Sequence, residues 1–273
     1  MEPRKNGVYG VILTGSTLGV PRSAGRTGVV FFAAGQARVR HRNKHNRSRF
    51  QAQNTQQGAQ TINTHHTHCN IYIGENFATK LQAAFQFEKS LRQIDPEDGF
   101  VQCKFDPFKR YQEMNLSGMA ARMKECPNAG GDSVESEVLS LELLHRCFGA
   151  KLLKTEMEVQ YFPYGGSIVD YTCEMFGVSL GVSVTRAMKY KGEFEKEDAE
   201  KLLGKKLRGI MNATQNALDK WSKQILHIWA TSTKVADVLT SVYHDLSPQL
   251  RTNTVVLVTI VTTPQHSLFK NSR

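Results

Sequence analysis

Several features that mark common classes of enzymes and membrane proteins are missing from this 273-residue sequence. No apolar run approaches the roughly 18 residues that a membrane-spanning helix requires, so no membrane partner is predicted. There is no Gly-x-Gly-x-x-Gly or Walker loop for a nucleotide, and no Gly-x-Ser-x-Gly elbow for a hydrolase nucleophile. These absences argue against nucleotide-dependent and serine-hydrolase chemistry, and no organic cofactor is predicted.

Cysteine is scarce, and the spacing of the cysteines does not indicate disulfide bonds. The chain has five cysteines, widely spaced and without a Cys-x-x-Cys pair: Cys69, Cys103, Cys126, Cys147 and Cys173. An odd and sparse set in a chain of this length is typical of reduced thiols in an intracellular protein, whereas small secreted domains use disulfide frameworks. A nuclear or cytoplasmic location is therefore predicted.

Acidic residues are absent between Glu2 and Glu75, so the first part of the chain is strongly basic. Residues 1–60 contain ten Lys and Arg residues and one acid, which accounts for +9 of the formal net charge of +10. Because this part has little apolar periodicity, it is predicted to be a disordered basic arm. Such an arm would contact nucleic-acid phosphates or act as a nuclear import signal. A plain solvated tail and a mitochondrial transit peptide are the alternatives.

Residues 61–131 are predicted to form a mixed helical and extended region that ends in a linker. A strand is expected at 69–73 and a helix at 77–91, where apolar residues recur near helical spacing. Three histidines and a cysteine crowd together at 65–69. A zinc site needs ligands from a second element, and no second cluster follows, so no zinc site is predicted.

Residues 132–273 are predicted to form an α/β domain with a mixed central sheet flanked by helices, in the order αβββααβ. The predicted elements are a helix at 133–148, strands within 152–162, 167–175 and 178–188, helices at 197–230 and 234–246, and a strand at 254–261. The tight connection around Gly177 predicts an antiparallel hairpin. The β-branched run at 254–261 is typical of an interior strand that is buried on both faces.

This order resembles the core of the PD-(D/E)XK, or restriction-endonuclease-like, nuclease superfamily, and the resemblance covers residues 133–262. In that superfamily a central strand has an Asp, the next strand has an acid and a Lys two residues apart, and the first helix often adds a Glu. The acids hold one or two Mg²⁺ ions that polarise a phosphate, and the Lys stabilises the developing charge. The resemblance therefore implies metal-dependent phosphodiester cleavage in a nucleic acid.

Three carboxylates are the candidate metal ligands. Glu137 lies on the first helix in line with its apolar stripe, and Asp170 lies among apolar strand residues, where a carboxylate is costly to bury without a partner. Glu174 shares the strand face of Asp170 and is the third candidate, although four residues span about 13 Å along a strand. Mg²⁺ or Mn²⁺ is the cofactor that the resemblance implies.

The third strand departs from the superfamily pattern, because Ser183 and Thr185 occupy the positions of its acid and Lys. Catalysis would then require Arg186 or Lys189 to stabilise the developing charge. The predicted catalytic set is Asp170, Glu137, Ser183, Thr185, Arg186 and Lys189. The departure favours an alternative hypothesis, a catalytically inactive nuclease-like adaptor for a protein or nucleic-acid partner. An α/β domain unrelated to nucleases is the third interpretation.

Charged residues around the long predicted helix leave two interpretations open. One is a basic strip that would face a nucleic acid, and the other is a solvated face where bases alternate with neighbouring acids. The near balance of charges favours the solvated face. The bases concerned are Lys201, Lys205, Lys206 and Arg208. Glu135 and Glu142, on the first helix of the domain, are likewise expected to face water.

Overall fold

Three strands and two α-helices precede residue 133 in the described part of the chain. In the computed structural model, which describes residues 70–93, 99–129, 133–263 and 267–269, they are β1 (Asn70–Ile73), β2 (Phe77–Leu81), α1 (Ala84–Arg92), β3 (Gly99–Pro107) and α2 (Gly118–Glu125). The basic arm predicted at 1–60 and the histidine cluster at 65–69 lie outside the described residues.

Five strands and four helices follow in the second part of the chain. They are α3 (Val134–Phe148), β4 (Lys151–Thr155), β5 (Tyr171–Met175), β6 (Val178–Ala187), α4 (Lys196–Asn216), β7 (Lys223–Ala230), α5 (Thr233–Asp245), α6 (Pro248–Arg251) and β8 (Thr254–Val261). From α3 to β7 the order is helix, three strands, helix, strand. No helix within the described ranges is both long and apolar enough to span a membrane.

All eight strands belong to one mixed sheet with the order β1-β2-β3-β8-β7-β6-β5-β4. Strands β3, β8, β7 and β6 are parallel neighbours, and the remaining pairs are antiparallel. Helices α1, α2 and α3 contribute to the hydrophobic core on one face of the sheet, and α4 and α5 to the core on the other. The prediction of an α/β fold with a mixed sheet flanked by helices is confirmed.

Two predictions about individual strands are also confirmed. β5 pairs antiparallel with β6 through a two-residue turn, in which Phe176 and Gly177 both have positive φ angles, 55° and 75°. Two consecutive positive φ angles give the twist that a two-residue hairpin requires. Strand β8 lies between β3 and β7 and is buried at every residue, as its β-branched sequence predicts.

The helix predicted at 197–230 is wrong in its second half. Helix α4 ends at Asn216, Leu218 is 60% exposed, and Lys223–Ala230 forms β7, an interior strand buried at every residue. A short segment that is buried on all sides has no alternation of apolar and polar residues. Its sequence therefore does not distinguish a buried strand from a buried helix. The element order predicted for 132–273 therefore lacks one strand of the actual sheet.

The helix predicted at 77–91 is wrong in its first half. Phe77–Leu81 is strand β2, and α1 begins only at Ala84, after Ala83 adopts a left-handed backbone conformation with φ 57°. Strand β3, which pairs with β2 and β8, has no counterpart among the predicted elements. Strands β1, β2 and β3 thus belong to the same sheet as the strands that follow α3.

A fully buried polar network crosses the core from α3 to β8. Ser140 Oγ lies 2.8 Å from the Tyr171 hydroxyl and 2.7 Å from Nδ1 of His227, and Nε2 of His227 lies 2.8 Å from Thr259 Oγ1. Burial lowers the pKa of His227 to about 3, so its ring is neutral at physiological pH. Because every member has a partner, the network joins four elements without leaving an unsatisfied buried group among them.

The end of β6 extends beyond its antiparallel neighbour, and this creates the position of the candidate site. β5 begins at Tyr171, opposite Val182, so the residues of β6 after Val182 have no β5 residue beside them. The first turn of α3 lies near the same end of the parallel strands, because Trp229 Nε1 donates a 3.0 Å hydrogen bond to Ser136 O. Polar groups from several elements can therefore meet here.

Candidate functional site

Asp170 lies immediately before β5 and replaces the missing strand partner of β6. Its backbone N–H donates to Val182 O over 3.0 Å, and its carboxylate Oδ2 accepts a 2.6 Å hydrogen bond from the backbone N–H of Val184. The side chain thus satisfies a donor of β6 that no residue of β5 can reach. This contact fixes the carboxylate at the edge of β6, beside the segment that contains Ser183 and Thr185.

The pKa of Asp170 is raised from its ordinary 3.8 to about 7. Burial of the carboxyl group is the largest cause, and the nearby carboxyl groups of Glu137 and Glu156 raise the pKa further. The Lys206 ammonium and the hydrogen bond from Val184 act in the opposite direction. A carboxyl group that titrates near neutral pH beside other charged groups is a common property of functional sites.

Glu137 approaches the same place from the first turn of α3. The residue is 5% exposed, and burial raises the pKa of its carboxyl group. A hydrogen bond with the Ser133 side chain and the charges of Lys206 and Arg186 lower that pKa, while Glu156 raises it. Glu137 thus lies within electrostatic range of Asp170, Arg186 and Lys206, and the first two of these are predicted site residues.

Lys206, on α4, is a member of the site that the sequence analysis did not assign. Its Nζ donates a 3.2 Å hydrogen bond to Val184 O, so it reaches β6 between Ser183 and Thr185. The sequence contains a signal for this position, because Lys206 lies three residues after Leu203 and four before Ile210, on the buried side of an amphipathic helix. A cation on that side must find a polar partner.

Two further charged groups border the carboxylates. Arg186, near the end of β6, donates through Nη1 to Leu268 O over 3.2 Å. Glu156 lies in a 3₁₀ turn after β4, and its Oε2 accepts a 2.6 Å hydrogen bond from Ala129 N–H. Its charge raises the pKa of both Asp170 and Glu137, so it stands near both.

Ser183 and Thr185 flank Val184 on β6. Ser183 is buried, and Thr185 is half-buried. Neither side chain can supply a negative charge, so the only carboxylates that approach this part of β6 among the described residues come from other elements. These two residues therefore stand beside the candidate site without providing an acid or a Lys.

Glu174 and Lys189 are not brought to Asp170. Glu174 is exposed on β5 opposite Ser179, with its Oε1 3.8 Å from Lys151 Nζ. The register between β5 and β6 contains no bulge, so Glu174 remains about 13 Å from Asp170 along the strand. Lys189 is exposed beyond β6, and its Nζ donates a 2.8 Å hydrogen bond to Asp198 at the start of α4.

The expectation that Glu135 and Glu142 face water is wrong. Glu142 has no exposed side-chain area, and it accepts hydrogen bonds from Arg146 over 2.8 Å and from the Ser117 N–H over 2.9 Å. Glu135 is half-buried and accepts a hydrogen bond from the Ser267 hydroxyl. Glu142 ties α3 to the beginning of α2, which explains why a helix with apolar neighbours accommodates a buried acid.

The donor set at the site limits what kind of ion it would hold. Across the described residues, no three His, Cys, Asp or Glu side chains form a group suited to a metal ion. Asp170 and Glu137 are two oxygen donors from different elements, and Mg²⁺ is often held by one or two carboxylates because it keeps several waters. The residues present therefore fit Mg²⁺ or Mn²⁺ better than a metal that needs a full protein shell.

Comparison with known proteins identifies no family for this chain. No family model matches the sequence, and no solved structure matches it. A protein of Dictyostelium discoideum described as "AAC-rich mRNA clone AAC4 protein" is 44% identical over 151 residues. The match covers 52% of this chain and 22% of that protein, so the chain spans about a fifth of its relative's length.

Proposed function

We propose that this chain binds nucleic acid and cleaves its phosphodiester bonds with Mg²⁺ or Mn²⁺ held by Asp170 and Glu137. The observation on which the proposal depends is the meeting of these two carboxyl groups with Lys206 at the end of β6. The order of α3 to β7 gives further support, because the PD-(D/E)XK superfamily has the same order in its core. A nuclear or cytoplasmic location is proposed with it, and a mitochondrial one is the alternative.

Each residue of the site has a distinct chemical role in this proposal. A divalent ion would polarise the scissile phosphate and lower the pKa of a bound water. Asp170 and Glu137 would bind it in their ionised forms, and a nearby cation favours ionisation of a carboxyl group whose pKa is raised. Glu156, held by the Ala129 N–H, adds negative charge that makes the site attractive to a cation.

Lys206 would supply the positive charge that Thr185 cannot provide. In the superfamily this Lys lies on the strand, two residues after the acid, whereas here Thr185 occupies that position. Lys206 approaches the same strand from α4 and binds the carbonyl oxygen of Val184. An ammonium group held beside the reacting phosphate would stabilise the charge that develops there. Arg186, beside Glu137, is the second cation of the site.

A catalytically inactive adaptor is the second candidate function. The neutral Ser183 favours it, because Ser183 replaces the strand acid that the superfamily uses to bind metal. The lack of a three-ligand group in the described parts of the chain favours it as well. An adaptor would use the same surface to bind nucleic acid or a protein, and the site residues would then contribute to binding alone.

Cleavage assays separate the two functions. Labelled single- and double-stranded DNA and RNA are incubated with Mg²⁺ or Mn²⁺ and the wild type, Asp170→Asn, Glu137→Gln or Glu174→Gln. We expect cleavage by the wild type and the Glu174→Gln control, and loss of cleavage in the two site variants. Equal cleavage by the wild type and Asp170→Asn would show that the proposed mechanism is wrong. Nucleic-acid binding without cleavage by any variant would support the adaptor.

A further inference from the structure

The segment between β4 and β5, which leads along the chain to Asp170, displays two aromatic side chains to solvent. Phe162 is 70% exposed and Tyr164 is 91% exposed, whereas Tyr161 next to them is buried. The segment ends at Val169, the residue before Asp170. Phe and Tyr rings present flat apolar faces on which a flat ring of a ligand can stack.

The backbone that bears these rings is attached firmly to α4. Phe162 N–H donates to Asn216 O over 2.8 Å, and the Tyr161 hydroxyl accepts a 3.0 Å hydrogen bond from Val169 N–H. Ser167 packs against α4 as well. A Cβ atom added to Gly209 would lie 3.1 Å from the Oγ of Ser167. The exposed rings are therefore presented by an anchored segment, which reduces the entropy lost when a ligand stacks on them.

The neighbouring surface of α4 is positively charged. From Lys201 to the end of the helix at Asn216 there are four bases and no acid, since the acids of α4 are confined to 197–200. Lys205 and Arg208 are exposed, lie three residues apart on one face, and form no ion pair with an acid in the described ranges. Lys205 and Arg208 therefore face solvent, as the sequence favoured, but without the neighbouring acids that the charge-balanced interpretation requires.

We propose that Phe162, Tyr164 and the Lys205–Arg208 face of α4 bind a single-stranded nucleic acid and lead it to Asp170. This inference rests on the proposed function, and it specifies the substrate class. Bases in a single strand can stack on exposed aromatic rings, whereas bases in a duplex are already stacked on each other. The two cations would contact the phosphates, and Lys206 continues the positive charge into the site.

Binding of labelled oligothymidylate, oligouridylate and a duplex of equal length to the full chain tests the proposal. Phe162→Ala and Tyr164→Ala should each weaken single-strand binding about tenfold, which is the size of one base–aromatic stack. Phe85→Ala is the matched control, because Phe85 is 68% exposed on α1, and it should bind as the wild type does. Lys205→Gln with Arg208→Gln should lower the salt slope by about 1.4.

The basic arm is present in every variant, so differences between them report on the described surface. The proposal is wrong if the two aromatic variants bind like Phe85→Ala, or if the duplex binds as tightly as the single strands. Asp170→Asn separates this result from the proposed function, since it should bind normally and fail to cleave. If the aromatic variants lose binding and even the wild type does not cleave, the binding surface proposed here stands and the proposed nuclease activity is wrong.

Discussion

Asp170 and Lys206 bind the two polar backbone groups of a single residue, Val184. The carboxylate of Asp170 accepts the N–H and the ammonium of Lys206 donates to the C=O, over 2.6 Å and 3.2 Å. An acid and a base from different elements are thereby held by the N–H and the C=O of one strand residue, along the edge of β6 that β5 leaves unpaired. In an ordinary sheet, a neighbouring strand would satisfy both groups and no charged side chain would be required here.

Replacing Lys206 should impair cleavage more than folding. Lys206→Met removes the ammonium but keeps most of the apolar side chain, so the expected result is a loss of about 100-fold in kcat, the size seen when one group that stabilises a transition state is removed. Lys206→Arg should restore part of it. Lys189→Met serves as the control, because Lys189 bonds Asp198 outside the site. A larger loss in the control would assign the catalytic cation to Lys189.

The raised pKa of Asp170 should make the protein less stable as the pH rises from about 4 to about 7. The unfolded chain loses its Asp170 proton near 3.8 and the folded chain near 7, so the folded state binds the extra proton between these values. Asp170→Asn should therefore be more stable than the wild type at pH 8, by about 2 kcal/mol after allowing for partial exposure, and similar to it near pH 4.

Asp219→Asn gives the opposite pattern and serves as the comparison. Hydrogen bonds from Lys154 and from the Gln160 N–H, together with the charge of Lys154, lower the pKa of Asp219. Its contribution to stability is present above its ordinary pKa and is lost as the pH falls. Thermal unfolding of Asp170→Asn between about pH 4 and pH 8, and of Asp219→Asn from about pH 5 down to about pH 2, checks the two signs. A stability difference for Asp170→Asn that does not vary with pH would contradict the raised pKa.

Divalent ions should stabilise the folded protein, and they should do so more strongly at higher pH. An ion that binds the native site raises the free energy of unfolding, and its ligands must be deprotonated to bind it. With the pKa of Asp170 near 7, the rise in Tm on adding Mg²⁺ or Mn²⁺ should be clearly greater above pH 7 than below it. Asp170→Asn should abolish the rise, and Glu174→Gln should retain it.

Removing the hydroxyl of Ser140 should destabilise the core. Ser140→Ala leaves the Tyr171 hydroxyl and one nitrogen of His227 without their buried partner, and an unsatisfied buried group costs about 1–3 kcal/mol. Denaturant unfolding should show a loss in that range with an unchanged m-value. Thr252→Ala, which removes an exposed hydroxyl bonded to Pro248 O, should change stability by less than about 0.5 kcal/mol.

The sequence predicts a secondary-structure element correctly where its residue pattern fits only one type of element. The Phe176–Gly177 hairpin and the β-branched strand β8 are of this kind, because turn chemistry and continuous β-branching exclude a helix. Lys223–Ala230 is not, because a short buried run suits either a strand or a helix. At the site, Asp170 and Glu137 follow from single acids among apolar residues. The presence of Lys206 at the site depends on where α4 packs across β6. That tertiary contact cannot be predicted from the residue spacing within one element.

The buried network behind Asp170 has a consequence for how the site would meet a ligand. Tyr171, the next residue, is linked through Ser140 and His227 to Thr259 on β8, so the main chain at Asp170 is fastened to the centre of the domain. Displacing the main chain at Asp170 would disturb the hydrogen bonds of this buried network. The acid is therefore preorganised: its orientation is established when the chain folds, and a ligand would encounter it already in place.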